Sequence, residues 1–355
     1  MIKYQPILWM MVIVTGFGVA WWATRRLLLW RGRECLLDRP NLRSSHTVPT
    51  PRGGGVGIVG AFGLVSLGLW AVGGVPGWAA MAVVGAGLGV AAIGFWDDLG
   101  HVPIGWRLVV HAGAAVWGLV WVTAGRGWTI AEGHWATTGD CPYAMWVAAG
   151  LMLVWLINLY NFMDGIDGLA AVEAITVASG AAGILFLEQR GDLGLWLLGL
   201  AAATGGFLVW NFPPAKIFLG DVGSGFLGCV LGMLALVTVA GGAMTVGSWG
   251  ILLAVFITDA SVTLLRRMVA GERWWQAHRS HAYQHLARRF GHLPVTLAVG
   301  ALNLFWLLPW AWVASVYPDR AIGGTVIAYL PLLGIAWRAG AGVSEGRFRR
   351  KKSIQ

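Results

Sequence analysis

The chain has 355 residues, of which 57% are hydrophobic and 12% charged, with a formal net charge of +9. Soluble domains carry about 25% charged residues, so this composition excludes an ordinary water-soluble enzyme and defines a polytopic membrane protein. The positive excess is explained by topology, because Lys and Arg collect on the cytoplasmic side of a membrane, and it calls for no nucleic acid partner.

Fifty-three Gly and 23 Trp fit the same class. Gly lets membrane helices pack closely, and Trp anchors helix ends at the headgroup level. Cys35, Cys141 and Cys229 are scattered, with neither a CxxC pair nor a metal-ligand spacing.

The first apolar run, Ile7 to Ala23, has the length of a signal peptide but is followed by Arg25-Arg26 and by no small-residue cleavage site. It is read as a first span with its amino end outside. At ~20 apolar residues per crossing, about eleven spans follow, near 7–24, 54–73, 78–96, 106–124, 143–160, 169–187, 194–211, 222–241, 246–265, 294–315 and 320–337. An odd number of crossings leaves the carboxyl end in the cytoplasm. Positive charge agrees with this orientation: of the 25 Lys and Arg, only Lys3, Arg126, Arg190 and Arg320 fall outside.

The expectation is therefore an all-α polytopic integral membrane protein with a single transmembrane domain over residues 1–355, residues 343–355 forming a basic cytoplasmic tail. The longest inside segment, Arg266 to His292, is too short to bury a core of its own. The outer segment 124–142 is polar and Trp-containing, which suggests a short hairpin or an interfacial helix.

Five polar clusters then fall on the cytoplasmic face. His46 to Gly55 lies in the first inside loop, and Asp97-Asp98 ends the third span. Asn158-Leu-Tyr-Asn161-Phe-Met-Asp164-Gly-Ile-Asp167-Gly168 ends the fifth. Asn211 to Ser224 joins the seventh and eighth, and His278-Arg279-Ser280-His281-Ala282-Tyr283-Gln284-His285 lies in the last inside loop. Carboxylates next to apolar spans are expensive and mark function. A polar turn needs Gly and one Asn or Asp, not four oxygen-bearing side chains spaced by three.

Asp and Asn oxygens beside basic groups suit phosphates held through Mg²⁺, which takes one or two protein oxygens, several waters and the substrate phosphates. Asn161 and Asp164 are one helical turn apart. Asp221 sits among glycines at a helix start, where backbone N–H groups and the helix dipole favour an anion; a plain Asp or Ser cap explains the same residues. Asp97-Asp98 is either a solvated cap or a pair in which mutual repulsion makes one carboxylate a base. The His278 to His285 run offers phosphate donors, or else a basic segment attracted to anionic lipid. Gly53-Gly54-Gly55-Val56-Gly57 lacks the Gly-Lys-Ser/Thr ending of a P-loop, and helix packing explains it equally well.

Taken together, Asn158–Ala170, Asp97-Asp98, Asn211–Ser224 and the final His-rich loop resemble, in order and side, the polyprenyl-phosphate N-acetylhexosamine-1-phosphate transferases. The likeness spans roughly residues 40–290. The run from His278 to Gln284 is most similar to the branch that starts O-antigen with N-acetylfucosamine or N-acetylquinovosamine phosphate.

The resemblance implies transfer of an N-acetyl-amino-sugar 1-phosphate from a UDP-sugar to undecaprenyl phosphate in the bacterial inner membrane, with UMP released and the active site cytoplasmic. It implies Mg²⁺ as cofactor, with Mn²⁺ a tolerable substitute, and it allows a homodimer. Asn161 and Asp221 would coordinate the metal, and Asp97 with Asp98 would deprotonate or position the lipid phosphate. Asp164 and Asp167 would line the nucleotide end or join the catalysis, Phe218 would stack on uracil near Asn211, and His278, Arg279 and His281 would hold phosphate or sugar groups.

Two departures stand out. The Lys that often follows the paired Asp is replaced by Leu99-Gly100-His101, leaving Arg107 as the nearest cation, and the three consecutive histidines of the peptidoglycan-precursor translocase are replaced by His278-Arg279-Ser280-His281. Both favour a simpler UDP-amino sugar over the peptidoglycan precursor. A secondary transporter is the rival from another class, but transporter sites lie at the midplane in broken helices, whereas these acids cluster at one face. A CDP-alcohol phosphotransferase is excluded, because Ile166-Asp167-Gly168-Leu169 does not continue with its Ala-Arg.

Overall fold

The structure, a computed structural model, describes residues 5–40, 48–126, 142–272 and 278–343. The core of the expected outer segment and the basic tail beyond residue 343 lie outside the described residues, as does the start of the first inside cluster.

The architecture is all-α. The helices are α1 (Gln5–Leu29), α2 (Gly55–Ala71), α3 (Gly77–Leu99), α4 (Ile104–Arg126), α5 (Pro142–Met163), α6 (Leu169–Leu187), α7 (Gly191–Asn211) and α8 (Gly220–Ala240). They continue as α9 (Val246–Leu252), α10 (Ala254–Val269), α11 (Ala282–Phe290), α12 (His292–Val316) and α13 (Ala321–Arg338). The only strands among the described residues, Leu37–Asp38 and Thr50–Pro51, pair antiparallel across the first inside loop.

Nine helices among the described residues are long and apolar enough to cross a membrane, and ten if the bent pair α9–α10 counts as one. The expectation was about eleven. The difference lies in α2, which at 17 residues is shorter than a typical span, and in α9–α10, where the chain turns by 78° at Leu253. No break signal such as Gly or Pro occurs between Leu252 and Ala254, so the sequence gives no warning of that bend.

Helix α8 is the axis of the bundle and is buried along nearly its whole length. In lipid there is no hydrophobic force between helices, so close backbone approach carries the packing. A Cβ at Gly228 would overlap the α5 backbone at Leu156, one at Gly94 the backbone of Asp221, and one at Gly55 the Cα of Gly223. These contacts bring α5, α3 and α2 onto α8. The glycine-rich start of α2 is thereby explained by packing: Gly54 and Gly55 donate their N–H groups to the carbonyls of Phe218 and Leu219 (3.0 and 2.9 Å).

Because successive helices alternate in direction, the loops 99–104, 163–169 and 211–220 all emerge at the same end of the bundle, where Tyr283 also reaches the Phe162 carbonyl. The turn of α10 also opens an apolar cavity of about 370 Å³ at that end, lined by residues such as Met163, Val255, Tyr283, Leu286, Val299 and Ile335.

Candidate active site

The centre of the site is the start of α8. Asp98, on the last turn of α3, is 4% exposed, and its two carboxylate oxygens accept the N–H groups of Asp221 and Val222 at 3.0 and 3.1 Å. The first amides of a helix have no partner within it, so a carboxylate there satisfies them and complements the helix dipole. Gly220 makes this possible: its φ is +75°, and a Cβ there would collide with the Asp98 carboxylate.

Asp97 points the other way. Its Oδ1 accepts the Val102 N–H (2.7 Å), which folds the turn between α3 and α4, and its Oδ2 meets Arg107 Nη1 at 3.0 Å. The same Nη1 lies 2.9 Å from Asp221 Oδ2. The adjacent aspartates therefore have different work. Asp98 holds backbone, whereas Asp97 shares a guanidinium with Asp221.

Asn161, on the last turn of α5, donates to Ser224 Oγ (3.2 Å) and also hydrogen-bonds the Asp221 carboxylate. Asp164 follows in the turn. Burial, reinforced by the negative charges of Asp221, Asp98 and Asp167, pushes its carboxyl up to about 8. Asn161, Asp164, Asp97 and Asp221 are thus brought together, as the sequence suggested.

Asp167 and Asn211 have a different place. Asp167 Oδ2 accepts the Ala215 N–H (3.1 Å) and lies 3.3 Å from His292 Nδ1. Asn211 takes the Gly168 N–H (3.0 Å) and donates to the Ile217 carbonyl (2.9 Å). Together they bind the 164–168 turn to the 212–219 loop. That loop presents Phe218, partly exposed, with its backbone pinned to Pro51 and Gly54.

The His-rich loop joins through Tyr283, whose hydroxyl donates to the Phe162 carbonyl (3.0 Å). Gly165 must be glycine here, because a Cβ would overlap that hydroxyl. Burial and then the charges of Asp259 and Asp164 raise the Tyr283 phenol well above its ordinary range, so it is a donor at any physiological pH.

Asp259, inside α10, accepts the N–H groups of Ala282 and Tyr283 (2.8 and 2.9 Å) and lies 3.3 Å from His281 Nδ1. His281 is 4% exposed and His278 stacks on it with ring centroids 5.0 Å apart. Burial, and then the neighbouring His281 and the Arg267 guanidinium, depress His278 to about 3, so it is neutral. Arg279 is partly exposed, and its carbonyl accepts from Arg288 (2.9 Å).

Sequence reasoning missed Asp259, and it assigned no role to Arg107, Tyr283 or His292. Asp259 carried a readable signal, a carboxylate inside an apolar run. Arg107 did not, since its partners are ten and 114 residues away in the chain.

Among the described residues no group of three or more His, Cys, Asp or Glu is disposed to hold a metal on its own. A Mg²⁺ ion takes one or two protein oxygens and completes its shell with phosphate and water. The Asn161 and Asp221 oxygens, with Asp97 and Asp164 beside them, are a donor set of that kind.

Fold and site define a class: a polytopic membrane protein with an acidic, amide-rich site at one end of its helix bundle, next to an apolar cavity. Residues 80–239 match the model of glycosyl transferase family 4. Over 316 residues the chain is 30% identical to the decaprenyl-phosphate N-acetylglucosaminephosphotransferase of Mycobacterium tuberculosis, covering 79% of this chain and 76% of that one. It is 29% identical over 265 residues to the "probable undecaprenyl-phosphate N-acetylglucosaminyl 1-phosphate transferase" of Bacillus subtilis, covering 70% and 69%. Over 170 residues it is 34% identical to the phospho-N-acetylmuramoyl-pentapeptide-transferase of Moorella thermoacetica, covering 42% and 50%. The chain belongs to glycosyl transferase family 4, among the polyprenyl-phosphate N-acetylhexosamine-1-phosphate transferases.

Proposed function

We propose that the protein transfers an N-acetyl-amino-sugar 1-phosphate from a UDP-sugar to undecaprenyl phosphate, releasing UMP and starting an O-antigen or a related cell-envelope polysaccharide at the cytoplasmic face of the inner membrane. The observation that carries this reading is the convergence of Asn161, Asp164, Asp97 and Asp221 around the start of α8, with Arg107 between two of them.

In the reaction an oxygen of the lipid phosphate attacks the β-phosphorus of the UDP-sugar. The bond from that phosphorus to the bridging oxygen breaks, and UMP leaves with the electron pair. Asn161 and Asp221 would hold a Mg²⁺ ion, which would supply charge neutralisation on the transferring phosphoryl group. Most of the remaining work is positioning. Asp97 takes the proton of a protonated lipid phosphate, or orients the dianion. The 164–168 turn and the 212–219 loop, fastened by Asp167 and Asn211, wall the nucleotide end, where Phe218 offers a face to uracil.

Arg279, His278 and His281 are assigned to the sugar and phosphate groups. His278, being neutral, serves there as a hydrogen-bonding group and not as a fixed charge. The apolar cavity beside Tyr283 suits an isoprenoid chain whose phosphate reaches the acids. The Mycobacterium tuberculosis and Bacillus subtilis relatives, matched over most of the chain, are named for N-acetylglucosamine phosphate, and the match to the pentapeptide-bearing type covers less than half of it. This supports a simple amino sugar.

The test incubates the purified protein with undecaprenyl phosphate, Mg²⁺ and a panel of UDP-amino sugars, and identifies the lipid product by mass. A lipid diphospho-sugar from one or two donors is expected. No lipid product from any donor contradicts the reading.

A further inference from the structure

The contact the transfer reaction does not explain is the double ion pair of Arg107. A single nitrogen, Nη1, touches Asp97 Oδ2 at 3.0 Å and Asp221 Oδ2 at 2.9 Å. Two carboxylate oxygens from different helices thereby converge on one point, which is the arrangement carboxylates adopt around a cation. Asp221 is also one of the two residues to which the reading above gives the metal. The guanidinium and a divalent ion would compete for the same oxygen.

We infer that Arg107 is an internal counter-ion that competes with the divalent ion for the Asp97–Asp221 gap, so that the site holds the ion weakly until a diphosphate arrives. The inference rests on the proposed metal role of Asp221.

Three features support it. Charge is the first. The gap is faced by Asp97 and Asp221, with Asp98 behind, and one guanidinium brings a single positive charge to it. Without Arg107 these carboxylates would draw a divalent ion strongly; with Arg107 in place, the ion must displace a partner already bound at two points.

Mobility is the second. The Arg107 side chain is 23% exposed and stands on the first turn of α4, so it can swing away without disturbing the core. Asp97 stays in place when it does, because the Val102 N–H holds its other oxygen. Asp221 stays because its backbone is tied to Asp98.

The third is the consequence for binding. A displaced guanidinium needs a new anion, and a nucleotide diphosphate beside the ion supplies one. Ion and diphosphate then favour each other, and by linkage the coupling is the same in both directions.

The test reads metal binding directly, with Mn²⁺ as the probe and electron paramagnetic resonance as the detector, on the full chain in detergent without substrate. Arg107→Gln is expected to bind Mn²⁺ about tenfold more tightly than the unaltered protein. Adding UDP should tighten Mn²⁺ binding more in the unaltered protein than in Arg107→Gln. Asp221→Asn serves as the control and should lose binding in either background.

Arg107→Lys keeps the charge on a shorter side chain whose nitrogen reaches the gap less well, so it should fall between the two; it is the variant to read if Arg107→Gln does not fold. Equal or weaker Mn²⁺ binding in the Arg107 variants, with Asp221→Asn still abolishing it, overturns the counter-ion and leaves the metal assignment standing. Absence of Mn²⁺ binding in all proteins, with and without UDP, overturns both.

Discussion

Asp98 holds the start of the helix that carries Asp221: its carboxylate accepts the Asp221 N–H at 3.0 Å and the next amide at 3.1 Å. Asp97, its neighbour, meets the Asp221 side chain instead, both directly and through the shared Arg107 guanidinium. Two identical residues in sequence thus differ in what their loss should do. Asp98→Ala leaves two buried helix-start amides without partners, at a cost of about 1–3 kcal/mol each, and should lower the melting temperature along with activity. Asp97→Ala leaves one amide, Val102 N–H, without its partner and should abolish turnover with a smaller drop in melting temperature. A thermal melt beside a UMP-release assay separates them.

Asp164 gives a pH prediction. Its folded carboxyl titrates at about 8, while an unfolded one titrates at about 4. Between those values the folded chain keeps a proton that the unfolded chain releases, so stability is highest at acid pH and falls as pH rises through the window. In EDTA, the melting temperature should decline from pH 5 to pH 8, and Asp164→Asn should flatten that decline while abolishing activity. An equally steep decline in the variant would contradict the assignment.

Gly165 and Tyr283 form the latch between the central turn and the His-rich loop. Tyr283→Phe removes one hydrogen bond, worth about 1 kcal/mol. Gly165→Ala does more, because its Cβ would occupy the place of the Tyr283 hydroxyl. Activity should fall modestly in the first and severely in the second, and the double variant should recover part of the Gly165→Ala loss, since the hydroxyl is then absent.

Away from the site, Asn303 donates from one nitrogen to Glu173 Oε2 and to Thr176 Oγ1, both at 2.7 Å, joining α12 to α6 inside the bundle. Glu173 is fully buried, so Asn303→Leu strands a polar group in an apolar interior, at a cost of at least about 1–3 kcal/mol. The melting temperature should drop by several degrees. Restoring it with Glu173→Gln alone would not be expected, whereas Glu173→Leu together with Asn303→Leu should recover most of it.

The helices and the site differ in how readable they were. Spans are announced by runs of apolar residues, so the segments expected near 106–124, 169–187 and 222–241 coincide with α4, α6 and α8. The convergence of Asn161 with Asp221 followed from topology alone, since alternating spans must return their loops to one end. Three things were not legible. The turn at Leu253 carries no Gly or Pro. The division between Asp97 and Asp98 depends on where α8 begins in space. Asp167 and Asn211, expected beside the nucleotide, use their side chains to fasten two loops, which needs partners 43 to 48 residues apart or nearby only after folding.

The central claim is phosphoryl-sugar transfer, and it is tested by following the β-phosphorus. A UDP-amino sugar carrying ³²P at the β position, incubated with undecaprenyl phosphate and Mg²⁺, should pass its label to the lipid and release unlabelled UMP in equal amount, with neither event in Asp221→Ala. Release of labelled UDP with an unlabelled glycolipid would mean that the sugar moves without its phosphate, and would contradict the account.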